Sequence, residues 1–367
     1  MDRRRFVAAF VIGSAGCLSG SPPGGIGTND RGSTTERRTT TTETVEPTTI
    51  ATTTEPTATG TDTEPTEAEP TDATELDTDT PGTRTEDQPD LRAAPGDCPE
   101  YGDDVVKVIC YDVAPDDAPM VMEPSRSSLD LPGEMAFTLH NGTDGVLQTN
   151  FYSARLHKRV GGEWYLVAPQ GWPEPLTPLP AGESQTWTVS MSNDPEESKP
   201  NVDEARLAVG GLGGGRYAFG IDGNFRGGTY ERSTAFAATI EIRGDPVKLT
   251  TTDAVEDVSV EGDVLTASWT GGNAEGEYAR EATYVLERAD KTPDVHLITE
   301  QVLQGRLIGQ KPLRDALALA TNRDVPEVRL TGQTASSPPF GVDYRVIGYE
   351  GTAYGISASE TGTETES

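Results

Sequence analysis

The sequence predicts a mainly β protein, a β-sandwich followed by a small α+β domain and preceded by a disordered leader. Three observations carry that prediction. Between residues 98 and 243, seven or eight short runs alternate apolar and polar residues, separated by Gly, Asn and Pro turn signals and without an amphipathic helix. After Gly244-Asp245-Pro246 the pattern changes, and strand-like runs are interrupted by two stretches with apolar residues at helical spacing. Ahead of residue 98 lies a Thr-, Pro- and acid-rich segment that cannot bury enough apolar surface to offset the entropy of ordering it. The expected organisation is an export signal over 1–17, a linker over 18–97, the sandwich over 98–243, the α+β domain over 244–359 and a frayed acidic tail over 360–367.

The signal comes first. Arg3, Arg4 and Arg5 form a positive start, residues 6–12 are apolar, and Ser14-Ala15-Gly16 places small residues before Cys17. The apolar run is about half of the ~20 residues that span a bilayer. A cysteine at the cleavage point instead offers a thiol for lipid. Arg3-Arg4-Arg5-Phe6-Val7 resembles a twin-arginine export motif, and Ser14-Ala15-Gly16-Cys17 resembles a lipobox. The resemblance implies a lipid on Cys17 and a membrane contact through it. It places the chain at the cell membrane, facing the extracellular side. A plain secretory signal with an incidental cysteine is the alternative.

The linker has fourteen acids and one base, Arg84, between Glu43 and Asp90. Its roughly eighty residues reach about 50 Å as a coil and about 250 Å in polyproline form, so its expected role is distance from the membrane. Thr- and Pro-rich stalks of this kind are often O-glycosylated. Over the whole chain, 60 acids against 29 bases give a net charge of −31, which argues against nucleic acid as a partner. Only six lysines occur. Acid-rich, lysine-poor composition resembles the proteins of salt-loving archaea, where a Debye length of about 3 Å at 1 M screens the repulsion.

Three cysteines divide as Cys17 plus the pair Cys98 and Cys110. In an exported chain the even remainder points to a disulfide, with free thiols as the alternative. Closing so short a loop contributes about 3 kcal/mol in the chain-entropy view. The strands then follow in order: 105–111, 120–123, 134–140, 151–160 and 163–167, then the runs around Trp187, around Tyr217 and over 235–242. Met135, Phe137 and Leu139 share one face, as do Trp187, Val189 and Met191, and Tyr217, Phe219 and Ile221. The pieces Thr138-Leu139-His140-Asn141-Gly142-Thr143, Leu179-Pro180-Ala181-Gly182-Glu183 and Gly215-Arg216-Tyr217-Ala218-Phe219 resemble a bacterial-type immunoglobulin-like domain. That resemblance spans about 120–243. It implies that Tyr217 is a tyrosine corner with its hydroxyl fixed to backbone, and that the module presents a surface for binding, spacing or inhibition.

Beyond residue 246, strands are expected at 247–250, 258–261, 264–269, 283–287, 328–330, 344–349 and 352–357. Thr292-Pro293-Asp294 reads as a helix start, with Val295, Ile298 and Val302 at helical spacing. Pro312 opens a second helix carrying Leu313, Ala316, Leu317 and Ala320.

No catalytic constellation emerges. His140, His157 and His296 stand alone, no Gly-x-Ser-x-Gly occurs, and no cofactor or metal is expected. Asp222-Gly223-Asn224 lacks the spaced ligands of a calcium loop. Two surface features stand out. Arg155, His157 and Arg159 share a sheet face and form a basic stripe, open to an anionic partner or glycan or paired with the chain's own acids. Trp164 and Trp172, among Pro169, Pro173, Pro175, Pro178 and Pro180, offer a sugar platform or pack against the proline-rich crossover. Asn141-Gly142-Thr143 is an N-glycosylation acceptor. The functional expectation is a non-enzymatic surface lipoprotein with an envelope protein or glycan as partner. An envelope hydrolase with its site in the last domain, or a protease-inhibitor-like module, are the alternatives.

Overall fold

The computed structural model describes residues 89, 91, 94, 96–169, 171–198, 203–228, 230–272, 278–305, 310–341 and 345–361. The expected export signal with Cys17, almost all of the expected linker and residues 362–367 of the expected tail lie outside the described residues. The described chain is mainly β.

Twelve strands form its first part: β1 (Val105–Cys110), β2 (Met120–Pro124), β3 (Ser128–Asp130), β4 (Gly133–Asn141), β5 (Leu147–Thr149), β6 (Arg155–Val160), β7 (Glu163–Ala168), β8 (Thr177–Leu179), β9 (Ser184–Met191), β10 (Arg206–Val209), β11 (Gly215–Phe225) and β12 (Ser233–Arg243). One sheet has the order β10-β9-β4-β2. The other runs β1-β12-β11-β5-β8, with β3 on β12, β6 on β11 and β7 on β6. The two sheets face each other across one core. Phe137 of β4 stacks on Phe219 of β11 at 4.4 Å, and Trp187 of β9 meets the same ring edge-on at 5.9 Å. The alternating positions that bury Met135, Phe137 and Leu139 from one side and Tyr217, Phe219 and Ile221 from the other close this core. Fully burying one such ring contributes about 1.5–3 kcal/mol.

Strand β11 decides where a site can lie. Its first half, from Tyr217 to Gly220, pairs with β6, while its last residues, Gly223 to Phe225, pair with β5. The run expected as one strand over 151–160 is therefore broken, because Asn150 caps a 3-10 turn at Phe151–Ser153. The Asn150 side-chain oxygen accepts the Tyr152 N–H at 3.0 Å, and the Asn150 carbonyl accepts the Ser153 N–H at 2.8 Å. The turn leaves Ile221 and Asp222 without a paired neighbour on that edge.

The second part holds β13 (Val255–Glu261), β14 (Val264–Trp269), β15 (Arg280–Arg288), β16 (Val295–Leu297), α1 (Thr299–Leu303), α2 (Gln310–Arg323), β17 (Glu327–Thr334), β18 (Arg345–Tyr349) and β19 (Thr352–Glu360). Its strands make one mixed sheet in the order β13-β14-β17-β15-β19-β18-β16. Leu313, Ala316, Leu317 and Ala320 of α2 are buried in its core, following the helical spacing in the sequence.

Two expectations here are corrected. Residues 292–298 do not start a helix. The Asp294 carboxylate accepts the Val346 N–H at 3.2 Å, the Asp294 N–H donates to the Val346 carbonyl at 2.9 Å, and Val295–Leu297 continues as a parallel partner of β18. Sheet pairing outcompetes a weak β-branched helix start. Residues 247–250 are not a strand either. Their backbone is bound by α2 instead, since Arg314 Nε donates to the Thr250 carbonyl at 3.0 Å and Asn322 Nδ2 to the Leu249 carbonyl at 3.4 Å.

A strap-walled cleft at the break in the sheet

The outer face of the larger sheet is built from small residues. Gly220 faces Ala237, and Asp222 faces Ala235 across β11 and β12. The chain that follows the linker crosses this face, with Tyr101 packed on Ala235 and Ala237. A Cβ on Gly220 would stand 2.2 Å from Tyr101 Oη, so this close passage requires glycine. A disulfide between Cys98 and Cys110 ties the crossing strap to β1, with the two Cα atoms 6.1 Å apart.

The expected basic stripe lies against this strap. Arg155 forms an ion pair with Asp222, donates from Nη1 to the Tyr101 carbonyl at 3.2 Å, and lies 4.9 Å over the Tyr101 ring. His157 is buried, edge-on to Tyr101 at 5.2 Å. Arg159 pairs with Asp97 and sits 5.8 Å over Trp164. Arg216, 3.1 Å from the same Asp97, completes the attachment. The stripe thus receives a segment of its own chain: the Asp97 carboxylate and Tyr101 ring of the strap, with Asp222 of β11, neutralise and shield it.

Where β5 and β6 part, a cleft of about 460 Å³ opens, with Asp222 on its wall. Arg155, Tyr101 and Trp172 also line it, together with Gln148, Asn224 and the exposed Leu176. Trp172 lies 5.9 Å from the Arg155 guanidinium. Asn150 Nδ2 donates to the Pro173 carbonyl at 2.7 Å and so holds the proline-rich loop that carries Trp172. Burial pushes the Asp222 carboxyl above the usual carboxylate range, against the Arg155 charge, and Asp104 adds to the rise. Burial likewise raises the Tyr101 hydroxyl well above its ordinary value, so Tyr101 stays neutral. Of the expected site residues, Arg155 and Trp172 meet in this cleft. Trp164 is not among its lining residues and stacks with Arg159 instead.

Asn141 has a different role from the one its Asn-Gly-Thr context suggests. The residue is 0 % exposed. Its Nδ2 donates to the Gly145 and Leu179 carbonyls, each at 2.9 Å, and its Oδ1 accepts the Thr143 N–H at 3.2 Å and the Thr143 hydroxyl at 2.6 Å. Both amide hydrogens are spent inside the fold, which stands against a glycan on the folded chain. Mass spectrometry of the native protein is expected to find Asn141 bare. Asn141→Ala is expected to cost about 2–3 kcal/mol in denaturant unfolding, because the buried Leu179 carbonyl and the half-buried Gly145 carbonyl lose the amide donor.

A second polar cluster was not legible in the sequence. Helix α1 presents Glu300, 4 % exposed, to the glycine-rich loop before β11. The Glu300 carboxylate pairs with Lys158 of β6 and accepts the Gly213 N–H at 3.2 Å. Gln301 Nε2 donates to the Leu166 carbonyl at 2.9 Å, and Ser198 donates to Gln304 Oε1 at 2.9 Å. Close approach explains the glycines here, since a Cβ on Gly214 would lie 2.5 Å from the Gly244 carbonyl oxygen. Tyr217 joins the same cluster. Its hydroxyl donates to the Gly213 carbonyl at 2.7 Å, and burial, with the nearby Glu300 charge, raises its pKa.

Among the described residues, no cluster of three or more His, Cys, Asp or Glu side chains suited to a metal is present. No helix among them is long and apolar enough to cross a membrane. No family model matches the chain. No curated protein matches it in sequence. Solved structures with some similarity include a β-glucosidase from Listeria innocua in complex with glucose, 17 % identical with a TM-score of 0.18. They also include the same enzyme with gluconolactone, 16 % identical with a TM-score of 0.16. The glucose complex matches over 35 % of this chain and 16 % of that chain, the gluconolactone complex over 35 % and 17 %. Likeness of this size carries no argument about fold or activity.

Proposed function

We propose that this chain is a lipid-anchored, exported display protein, whose stalk holds an immunoglobulin-like sandwich and an α+β module outside the cell membrane. The observation that carries the proposal is the strap. The chain leaving the linker is fixed to the sandwich by the Cys98–Cys110 disulfide and by Asp97 with Arg159 and Arg216, which suits a module held at the end of a tether. A disulfide also fits an oxidising exterior. The immunoglobulin-like type is supported by the Tyr217 hydroxyl bound to a backbone carbonyl four residues upstream, the geometry of a tyrosine corner. The anchor rests on Arg3, Arg4 and Cys17. A salt-adapted surface is proposed on the charge balance alone.

The display reading is favoured over a hydrolase in the last module. Among the described residues there, the groups whose titration is displaced most are Tyr284 and Tyr349, raised by burial, Tyr349 to about 12. Neither belongs to a coupled acid–base pair of the kind a hydrolase needs.

Cys17→Ser tests the anchor. Fractionation of cells expressing the variant is expected to move the protein from the membrane to the medium. A variant that stays with the membrane contradicts the anchor.

A further inference from the structure

The strap-walled cleft has a composition that selects among ligand classes. Its lining residues include Asp103, Asp104, Glu174 and Asp222 with one basic residue, Arg155. Four negative charges against one repel an anionic ligand. The same carboxylates would draw a cation, but the Arg155 guanidinium, 4.9 Å from the Tyr101 ring and 5.9 Å from the Trp172 ring, keeps it off the aromatic faces. A ligand that uses the ring face as well as the polar lining is therefore a neutral molecule with many groups that both donate and accept hydrogen bonds.

We infer that this cleft is a binding site for a neutral saccharide unit. The volume of about 460 Å³ falls in the range of small-ligand sites. Trp172 supplies an amphipathic ring against which the C–H face of a pyranose packs, beside the apolar edge of Pro175 and the exposed Leu176. The carboxylates accept from sugar hydroxyls, while Gln148, Asn224 and Arg155 line the same space as donors. The loop is held in place, since Asn150 fixes Pro173 and Thr149 Oγ1 donates to the Asp222 carbonyl at 2.6 Å. The binding surface is therefore formed before ligand arrives, which lowers the ordering cost of binding.

The inference deepens the display reading and rests on it for the source of the saccharide, a glycan at the cell surface. The two fail separately, because lost anchoring leaves the cleft intact and lost binding leaves the anchor intact.

Isothermal titration calorimetry on the full-length purified chain in molar salt is the test, with cellobiose and mannobiose as neutral probes and glucuronate and choline as charged ones. At least one neutral disaccharide is expected to bind saturably, and better than either charged probe. Trp172→Ala is expected to weaken that binding about tenfold. Trp172→Tyr should recover most of it, and Trp164→Ala, outside the cleft, should leave it unchanged. Melting curves matched to the parent chain show that the variants are folded. The inference is overturned if neither disaccharide binds, if a charged probe binds as well, or if folded Trp172→Ala binds as the parent does.

Discussion

Asp315→Ala is expected to lower the stability of the chain by about 3–5 kcal/mol, the cost of breaking a buried, hydrogen-bonded charge site. Asp315 stands on α2 and is 0 % exposed. Its carboxylate accepts the Thr252 N–H at 2.6 Å, the Thr252 hydroxyl at 2.8 Å and the Trp269 indole N–H at 2.8 Å. One side chain therefore joins α2, β14 and the segment that enters the second part of the fold. Alanine leaves the buried Trp269 indole N–H and two half-buried Thr252 donors without their acceptor. Asp315→Asn is expected to cost less than alanine because it keeps one acceptor oxygen, while its amide NH₂ faces donors where an acceptor is required. Urea unfolding of the two variants, followed by far-ultraviolet circular dichroism, checks the order. Equal stability of Asp315→Ala and the parent would remove Asp315 from this role.

The second large effect is expected at Lys158. Its ammonium lies over the Tyr217 ring at 5.3 Å and pairs with the buried Glu300 of α1. Lys158→Met removes the cation and leaves a carboxylate enclosed beside Tyr217, at an expected cost of about 3 kcal/mol. Adding Glu300→Gln removes the stranded charge while keeping an acceptor for the Gly213 N–H, and most of that loss should return. A double-mutant cycle measured by denaturant unfolding gives the coupling. Costs that simply add would mean that Lys158 and Glu300 act independently.

How far the sequence reaches can be judged residue by residue. Period-two alternation placed Phe137 and Phe219 on inward faces because each strand is buried on one side, and helical spacing placed Leu313 and Leu317 for the same reason. Tyr217 was legible through its resemblance to a known motif. Val295 misled, since a β-branched residue after Thr-Pro-Asp suits a helix start or a sheet edge, and only the presence of β18 decides. The broken strand at residues 151–153 hinged on the capping side chain of Asn150, which periodicity does not see.

The cleft lay further out of reach. Arg155 and Asp222 are 67 residues apart in the chain, and Lys158 and Glu300 are 142 apart. Among 60 acidic residues, nothing local marks Glu300 and Asp315 for burial or Asp222 for the cleft wall. Their roles come from tertiary packing. The glycines near them were the available signal, because Gly213-Gly214-Gly215 and Gly220 sit where another part of the chain must approach closely.

The proposed anchor joins these parts into one account: lipid at Cys17, a tether, and a strap clamped onto a sandwich that offers a cleft. The most direct measurement is the mass of the N-terminal peptide from protein extracted out of native membranes. The account predicts a mature chain that begins at Cys17 with lipid on its thiol. A peptide that begins elsewhere, or an unmodified Cys17 in membrane-bound protein, would contradict it.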